Sequence, residues 1–281
     1  MALPARYEIP DTRSAMARDD RLDPDRIRRN LRTGRIGKKV LVFDRTASTN
    51  DVAAEYARNP ANDGLAVFAE EQTAGRGRSG AAWQSGHGDS LLFSVVLIDY
   101  QAKNELLPLA CAVAVAHALG QVGDHQARIK WPNDVLLGGR KVGGILVESR
   151  QTGRHAAWIV GVGINCHQRA DDFPRELRGT ATSLALAGPT RCHRIPLARR
   201  VLTSLDHWLD VAERDSHPVT EAWSHLSTQL HQRVTLSYNG RHFTGHCIGV
   251  DPERGLILQL DRGGVRIFHA AHTHIVATPA T

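Results

Sequence analysis

The sequence predicts a mixed, largely antiparallel α/β fold that ends in a small β-barrel. Two observations carry this. Between residues 128 and 164 a strand, a hairpin and a further strand follow one another with no helix between them, which is a meander and not a series of βαβ units. After about residue 230 short β-prone runs alternate with the turn signals Asn239-Gly240, Asp251-Pro252 and Gly263-Gly264, a spacing typical of small barrels.

The elements follow in order. Residues 1–37 are polar and arginine-rich, and Asp23-Pro24 before "DRIRRNL" reads as a short capped helix. That stretch is too short for an independent domain and is expected to be an extension. Lys39 to Phe43 is a strand. In "TASTNDVAAEYARN", Ser48 or Thr49 can cap a following helix. Leu65 to Ala69 and Leu91 to Ile98 are β-prone, and Leu106 to Leu119 is apolar nearly all round, as in a buried helix. Arg128 to Trp131 is a strand stopped by Pro132. Val135 to Leu137, Gly138-Gly139 and Arg140 to Val147 read as a two-residue hairpin. Trp158 to Ile164 is another strand. Leu197, Val201, Leu205, Trp208 and Leu209 line one helical face, and a second helix is expected over residues 219–230. The boundary to the barrel should fall near residue 230.

The loop "EQTAGRGRSGAAW", ending at Trp83, contains Gly75, Gly77 and Gly80 in the spacing G-x-G-x-x-G. A preceding apolar run and Asp99 downstream complete the letters of a dinucleotide fingerprint. That reading needs a helix to open at the glycines. Gly80, Gly86 and Gly88 would then fall inside it, each costing up to ~1 kcal/mol against alanine. The stretch is therefore expected to be a loop. Glycines let backbone approach a ligand closely, and Arg76 and Arg78 bring forked donors for phosphate or carboxylate. No Gly-Lys-Ser/Thr closes a P-loop.

A second constellation lies in "KWPNDVLLGGRKVGGILVES", Lys130 to Ser149. Lys130, Asn133, Asp134 and Lys141 gather two cations, an amide and a carboxylate around the hairpin. Strand alternation places residues 141, 143, 145 and 147 on one face. Gly143 and Gly144 leave room for a ligand. Asp134 can hold a magnesium ion carrying ATP phosphates, and Lys141 can neutralise charge where a carboxylate meets a phosphate. A plain surface salt bridge on a hairpin explains the same residues.

The chain has 281 residues, 42% hydrophobic and 23% charged, with a formal net charge of +6. This is globular composition with room for one large domain and a small one. The basic excess is spread along the chain and is compatible with phosphate-bearing substrates. Cys111, Cys166, Cys192 and Cys247 form no C-x-x-C and read as reduced thiols of a cytoplasmic protein. The acids Glu8, Asp11, Asp19 and Asp20 argue against a transit peptide, and no apolar run is long enough to span a bilayer. The pairs His242/His246 and His272/His274 lack a complete metal-ligand set nearby in sequence.

Ser48-Thr49-Asn50, "EQTAGRGRSGAAW", "KWPNDVLLGGRKVGGILVE", "GVGIN" (Gly161 to Asn165) and Thr182-Ser183-Leu184, in this order, resemble biotin protein ligases. The resemblance covers residues 38–280. It implies a catalytic domain at 38–229, related to class II aminoacyl-tRNA synthetase cores, and an SH3-like barrel at 230–281. Some members of that family are also repressors with an N-terminal winged helix; residues 1–37 are too short for one, so a form without that DNA-binding domain and without specific DNA binding is expected. The implied activity has two steps: biotin and MgATP give biotinyl-5′-AMP and pyrophosphate, and biotin then passes to a lysine of a biotin carboxyl carrier domain. AMP is the leaving group, so no protein nucleophile is needed. By position, Ser48, Thr49, Asn50 and Gln72 lie around the biotin ring. Arg76, Gly77 and Arg78 close over biotin and the phosphate, with Trp83 on the nucleotide side. Lys141 meets the reacting carboxyl, Gly144 leaves space for biotin, Asn133 and Asp134 serve the ATP–magnesium end, and Asn165 contacts adenine.

The resemblance has one departure. The family loop carries arginines where this chain has Ser79 and Ala81, in the pattern G-R-G-R-R-G-R-x-W. A leakier adenylate is expected. In a single-turnover chase, wild type should release adenylate faster than the Ser79→Arg/Ala81→Arg variant; equal rates would defeat the expectation. A lipoate–protein ligase or octanoyltransferase is the alternative enzyme, and a non-catalytic biotin- or nucleotide-binding regulator the alternative class. Testing which acid drives pyrophosphate release separates the enzymes.

Overall fold

The computed structural model describes residues 20–101, 105–122, 126–188 and 192–277. Glu8, Asp11 and Asp19 lie outside these residues. A first helix, α1 (Pro24–Arg28), starts where Asp23 accepts from the Arg26 amide at 2.7 Å. The main sheet has seven strands in the order β1-β2-β3-β7-β6-β5-β4. They are β1 (Val40–Thr46), β2 (Ala66–Gln72), β3 (Ser90–Ile98), β4 (Ala127–Lys130), β5 (Asp134–Leu137), β6 (Arg140–Thr152) and β7 (His155–Asn165). The β1–β2 pair is parallel and the other pairs are antiparallel, so the fold is mixed α/β and rich in antiparallel pairing, as expected.

Alternation along the strands sorts the core. On β3, Leu91, Phe93, Val95 and Leu97 face α3 (Leu106–Gly120) and α5 (Arg194–Arg214), which follows the short α4 (Leu184–Ala187), within the large apolar cluster. Val96 and Ile98 face the other way, with Val67 and Ile159, against Ala53 and Ala57 from the α2 segment (α2, Thr49–Tyr56). Two buried faces make these strands read as continuous apolar runs. The short α2 covers only part of its face. Beyond it the same row continues as Ser94 on β3 and Gly161 and Gly163 on β7, small residues that leave a recess.

The β5–β6 hairpin turns at Gly138 and Gly139, whose φ values of 55° and 75° suit a two-residue hairpin loop. Its pairing corrects one expectation. Val135 pairs with Gly143 but Leu136 pairs with Lys141, so β6 carries a bulge. The extra residue, Val142, is fully buried. Residues 141, 143, 145 and 147 therefore do not share a face. Lys141 and Gly144 come together on the recessed side, while Ile145 and Val147 pack toward the large core.

One further expectation changes. The second C-terminal helix, α6 (His217–Leu226), stops short of residue 230. Ser227 Oγ accepts from the Gln229 and Leu230 amides, and the Thr228 amide donates to Ile129 O, so the chain leaves helical geometry to run beside β4. Asp99 binds His155 Nδ1 at 2.6 Å and the Ala156 amide at the end of β3. Its carboxylate closes the β3–β7 end locally, in keeping with setting the dinucleotide reading aside.

The last strands, β8 (Arg233–Tyr238), β9 (Arg241–Asp251), β10 (Gly255–Leu260), β11 (Val265–Phe268) and β12 (Thr273–Ala277), form an antiparallel sheet in the order β11-β10-β9-β8-β12. Its inner residues Val234, Leu236, Leu256, Leu258 and Phe268 continue the large apolar cluster. All four cysteines are free and buried. Among the described residues no helix is long and apolar enough to cross a membrane.

Candidate functional site

The glycine-rich loop folds back as a tight hairpin. The Trp83 amide donates to Gly75 O at 2.9 Å and the Gly77 amide to Ala81 O at 2.6 Å. Ser79 and Gly80 turn the chain at φ 54° and 79°. A Cβ on Gly75 would lie 2.7 Å from Trp83 O, so that glycine closes the hairpin. Arg78–Gly80 make a single 3₁₀ turn and no α-helix opens here, in agreement with the argument against a dinucleotide fingerprint.

The hairpin lays the Trp83 indole into the recess. A Cβ on Gly163 would come within 2.7 Å of the indole Cε2 and Cζ2, and one on Gly144 within 3.2 Å of Cζ3. The alternate glycines of β7 thus make room for Trp83 and, at Gly161, for Asn50, whose Oδ1 would lie 2.3 Å from an added Cβ. The Trp83 Nε1 is buried with no hydrogen-bond partner. Gly163→Ala is expected to force the indole out at a cost of about 1–3 kcal/mol. A shift in the Trp83 emission, identified against a Trp83→Phe reference, reads this; unchanged emission would refute the packing.

One end of the cleft is a polar network at the start of α2. Ser48 is the N-cap residue, but its side chain caps nothing. Gln72 takes that role: its Oε1 accepts from the Thr49 amide at 2.7 Å and from Thr49 Oγ1 at 3.0 Å. Ser94 Oγ reaches Thr49 Oγ1 at 2.7 Å and Asn50 Oδ1 at 2.6 Å. Asn50 Nδ2 donates to Glu148 Oε2 at 2.7 Å. Every one of these side chains is oriented by a neighbour except Ser48, whose hydroxyl is left to the cleft.

Arg76 sits at the edge of this network. It grips Asp51 with two hydrogen bonds of 2.8 and 2.6 Å and lies 3.5 Å from Glu148. The Arg76 bond holds the Asp51 carboxyl below its ordinary range, and Asp51 in turn raises Arg76. The guanidinium ties the loop to α2 and, without a ligand, spends its forked donors on Asp51.

The other end carries the charges. Lys141 Nζ pairs with Asp134 Oδ1 at 2.6 Å and stands 5.8 Å from the Trp83 ring centre. Asn133 Nδ2 donates to Ile145 O at 2.7 Å, which pins β5 to β6 beside the bulge. Arg78 reaches Asn133 Oδ1 at 3.4 Å. Burial lowers the Arg78 pKa, and the charges of Asp134 and Glu105 oppose that shift.

Of the site residues expected from the sequence, all but Asn165 line this one cleft. Asn165 is buried behind it, donating to Thr182 O at 2.9 Å and accepting from Gln168 Nε2 at 3.2 Å. Its amide is spent within the fold, so the structure does not place it with the others. Sequence reasoning missed Ser94, Glu148, Asp51, Gly163, His274 and Ile275. The two-residue spacing of Gly161 and Gly163 was a usable signal. Nothing local marks His274 and Ile275, which reach the cleft from the C-terminal sheet.

Residues 42–165 match the biotin/lipoate A/B protein ligase family. The biotin–[acetyl-CoA-carboxylase] ligase of Mycobacterium tuberculosis is 33% identical over 260 residues, covering 87% of this chain and 93% of that protein. The chain belongs to the biotin protein ligase family. A second ligase of known name, the bifunctional ligase/repressor BirA of Bacillus subtilis, is 33% identical over 255 residues, covering 89% of this chain and 78% of that protein. Among solved structures, the biotin protein ligase from Aquifex aeolicus in complex with biotin and ATP superposes with a TM-score of 0.74 at 27% identity. That superposition covers 85% of this chain and 98% of that one.

Proposed function

We propose that this biotin protein ligase is an ATP-dependent biotin–[biotin carboxyl carrier protein] ligase. The observation that carries the reading is the polarity of one cleft: the uncharged hydrogen-bonding side chains Ser48, Thr49 and Gln72 at one end, and the cations Lys141 and Arg78 beside Asp134 at the other. Biotin has the matching polarity, a neutral ureido ring at one end and a carboxylate at the other. Its ring N–H and C=O groups need partners when buried.

In the first step a biotin carboxylate oxygen attacks the α-phosphorus of ATP. A C–O–P anhydride forms and pyrophosphate leaves. Both reactants are anions, so Lys141 and Arg78 lower the repulsion and meet the charge that builds on the phosphoryl oxygens. Lys141 exchanges its Asp134 partner for that charge. In the second step the carrier lysine, as free amine, attacks the acyl carbon; an amide forms, AMP leaves and the amine loses a proton. Trp83 covers the nucleotide side with its indole ring. Gly77 lets the loop backbone lie close to the ligand, and Gly144 leaves the floor open beside Lys141.

Magnesium fits as an ion that arrives with ATP. Asp134 supplies one carboxylate with Asn133 beside it, and phosphate oxygens and water complete such a shell. The described residues hold no group of three His, Cys, Asp or Glu side chains that would keep a resident metal. When bound, the ion shields phosphate charge.

The seven-stranded unit is inferred to be the class II synthetase-like catalytic domain, residues 38–229, and the five-stranded unit an SH3-like barrel, residues 230–281, after an extension at 1–37. Free thiols at every cysteine support a cytoplasmic setting. The test is ATP-dependent labelling of a carrier domain with biotin, with pyrophosphate release compared for biotin and lipoate. Release driven by lipoate and not by biotin would overturn the substrate assignment.

A further inference from the structure

Arg78 is the cleft cation whose position depends on another part of the chain. Its Nη2 donates to Ala270 O, on the turn after β11, and approaches Thr273 O, at the start of β12, at 3.5 Å. Next to it, Ser79 Oγ lies 3.4 Å from His274 Nε2 on β12. The C-terminal sheet thus touches the arginine hairpin at two successive residues. These contacts fall where the family pattern would place an arginine, at Ser79.

What holds that turn is Glu105. It sits at the N-terminus of α3, where a side chain normally caps its own helix, yet it caps nothing there. Its carboxylate reaches across instead. Oε1 and Oε2 accept from the Ala270 amide at 3.1 and 3.3 Å, and Oε1 lies 3.6 Å from His269 Nδ1. The side chain is 11% exposed. A carboxylate this sheltered needs partners, and the ones it has are on the turn that grips Arg78. The turn is closed further by Thr273 Oγ1 donating to His269 O at 2.5 Å.

We propose that Glu105 is a positioning residue for the reaction. It acts through the 269–273 turn to hold Arg78 over the cleft, and so keeps the adenylate in place. The C-terminal sheet is then a working wall of the active site, joined to the catalytic loop by a relay of Glu105, Ala270 and Arg78. Two features make the relay matter in this chain. The loop lacks arginines at positions 79 and 81, so few other charges can order it over the ligand. Arg76, the remaining loop arginine, is already committed to Asp51.

The inference rests on the ligase reading, and two measurements on the full chain keep the two apart. The first is hydrogen exchange of the loop amides of Gly77, Ala81 and Trp83 without ligand. Glu105→Ala should speed their exchange about fivefold to tenfold, the scale of coupling between contacting residues. Amides of β3 and β7 should be unchanged. Glu105→Gln keeps an acceptor for the Ala270 amide and should restore most of the protection. The second is biotinyl-5′-AMP release in a single-turnover chase for Glu105→Ala, Arg78→Ala and the double variant. Glu105→Ala should speed release by a similar factor in wild-type background and by nothing further once Arg78 is gone. Unchanged loop exchange in Glu105→Ala would overturn the relay, as would multiplicative effects in the double variant. Failure of wild type to form adenylate would overturn the ligase reading, and the exchange result would still decide the relay.

Discussion

Lys141→Ala is expected to abolish biotin labelling of a carrier domain, with adenylate formation reduced by at least 10²-fold, on the scale seen when one group that stabilises transition-state charge is removed. Lys141 is the cation at the centre of the cleft, on the bulge of β6, 2.6 Å from Asp134 and beside Gly144. Its side chain is 38% exposed, so the loss should not be a folding defect. The melting temperature should stay close to wild type. The bond at risk is the one between carboxylate and α-phosphorus, because that step brings two anions together. Transfer from chemically supplied biotinyl-5′-AMP should suffer much less than adenylation, since the repulsive encounter is then already past. Normal labelling by Lys141→Ala would move the chemistry to another group.

The largest expected effect on stability lies away from the cleft. Arg194 opens α5 with its side chain 3% exposed. It binds Glu70 at 2.6 Å and Asp20 at 2.9 Å, and its own amide donates to Asp20 at 2.8 Å. Glu70 also accepts from the Leu22 amide at 2.7 Å, and His167 lies 2.8 Å from Asp20. The cluster staples the N-terminal segment to the main sheet. Arg194→Ala leaves two sheltered carboxylates without their cation and should cost about 3–5 kcal/mol. Urea unfolding would measure it; a cost below about 1 kcal/mol would show that the cluster relaxes into water.

The same cluster has a sign in pH. Burial pushes Asp20 up, but hydrogen bonds from His167 and Arg194 outweigh it, so its folded pKa is below the ordinary value. Asp20 therefore adds stability that is complete above the unfolded carboxylate value of about 3.9 and is lost as the pH falls through the lowered native one. Wild type should lose stability in that acid window, and Arg194→Ala should lose less there.

Much of the fold was legible. The β5–β6 hairpin, the buried α3 and the meander through β7 follow from local pattern, since a two-glycine turn and apolar periodicity are properties of neighbouring residues. The failures have a common cause. Parity counting misplaced Gly143 because a bulge depends on the partner strand, and one inserted residue flips every side chain after it. Helix α6 ended early because the chain beyond Leu226 is taken up by pairing near Ile129. Asn165 is a different case: its place came from motif position, and in the fold its amide meets Thr182 and Gln168 behind the cleft.

The site divides the same way. The glycine-rich arginine loop and the Lys–Asp hairpin pointed to an anionic, phosphate-bearing ligand, and the order of the motif blocks, through their resemblance to biotin protein ligases, named an acid and a nucleotide as the reactants. Only the tertiary structure decided what each arginine is for. Arg76 and Arg78 are two positions apart in one loop, yet one is consumed by Asp51 and the other is held over the cleft by backbone carbonyls of Ala270 and Thr273. A guanidinium takes whichever acceptors the fold brings within 3 Å or so, and those acceptors come from residues far along the chain.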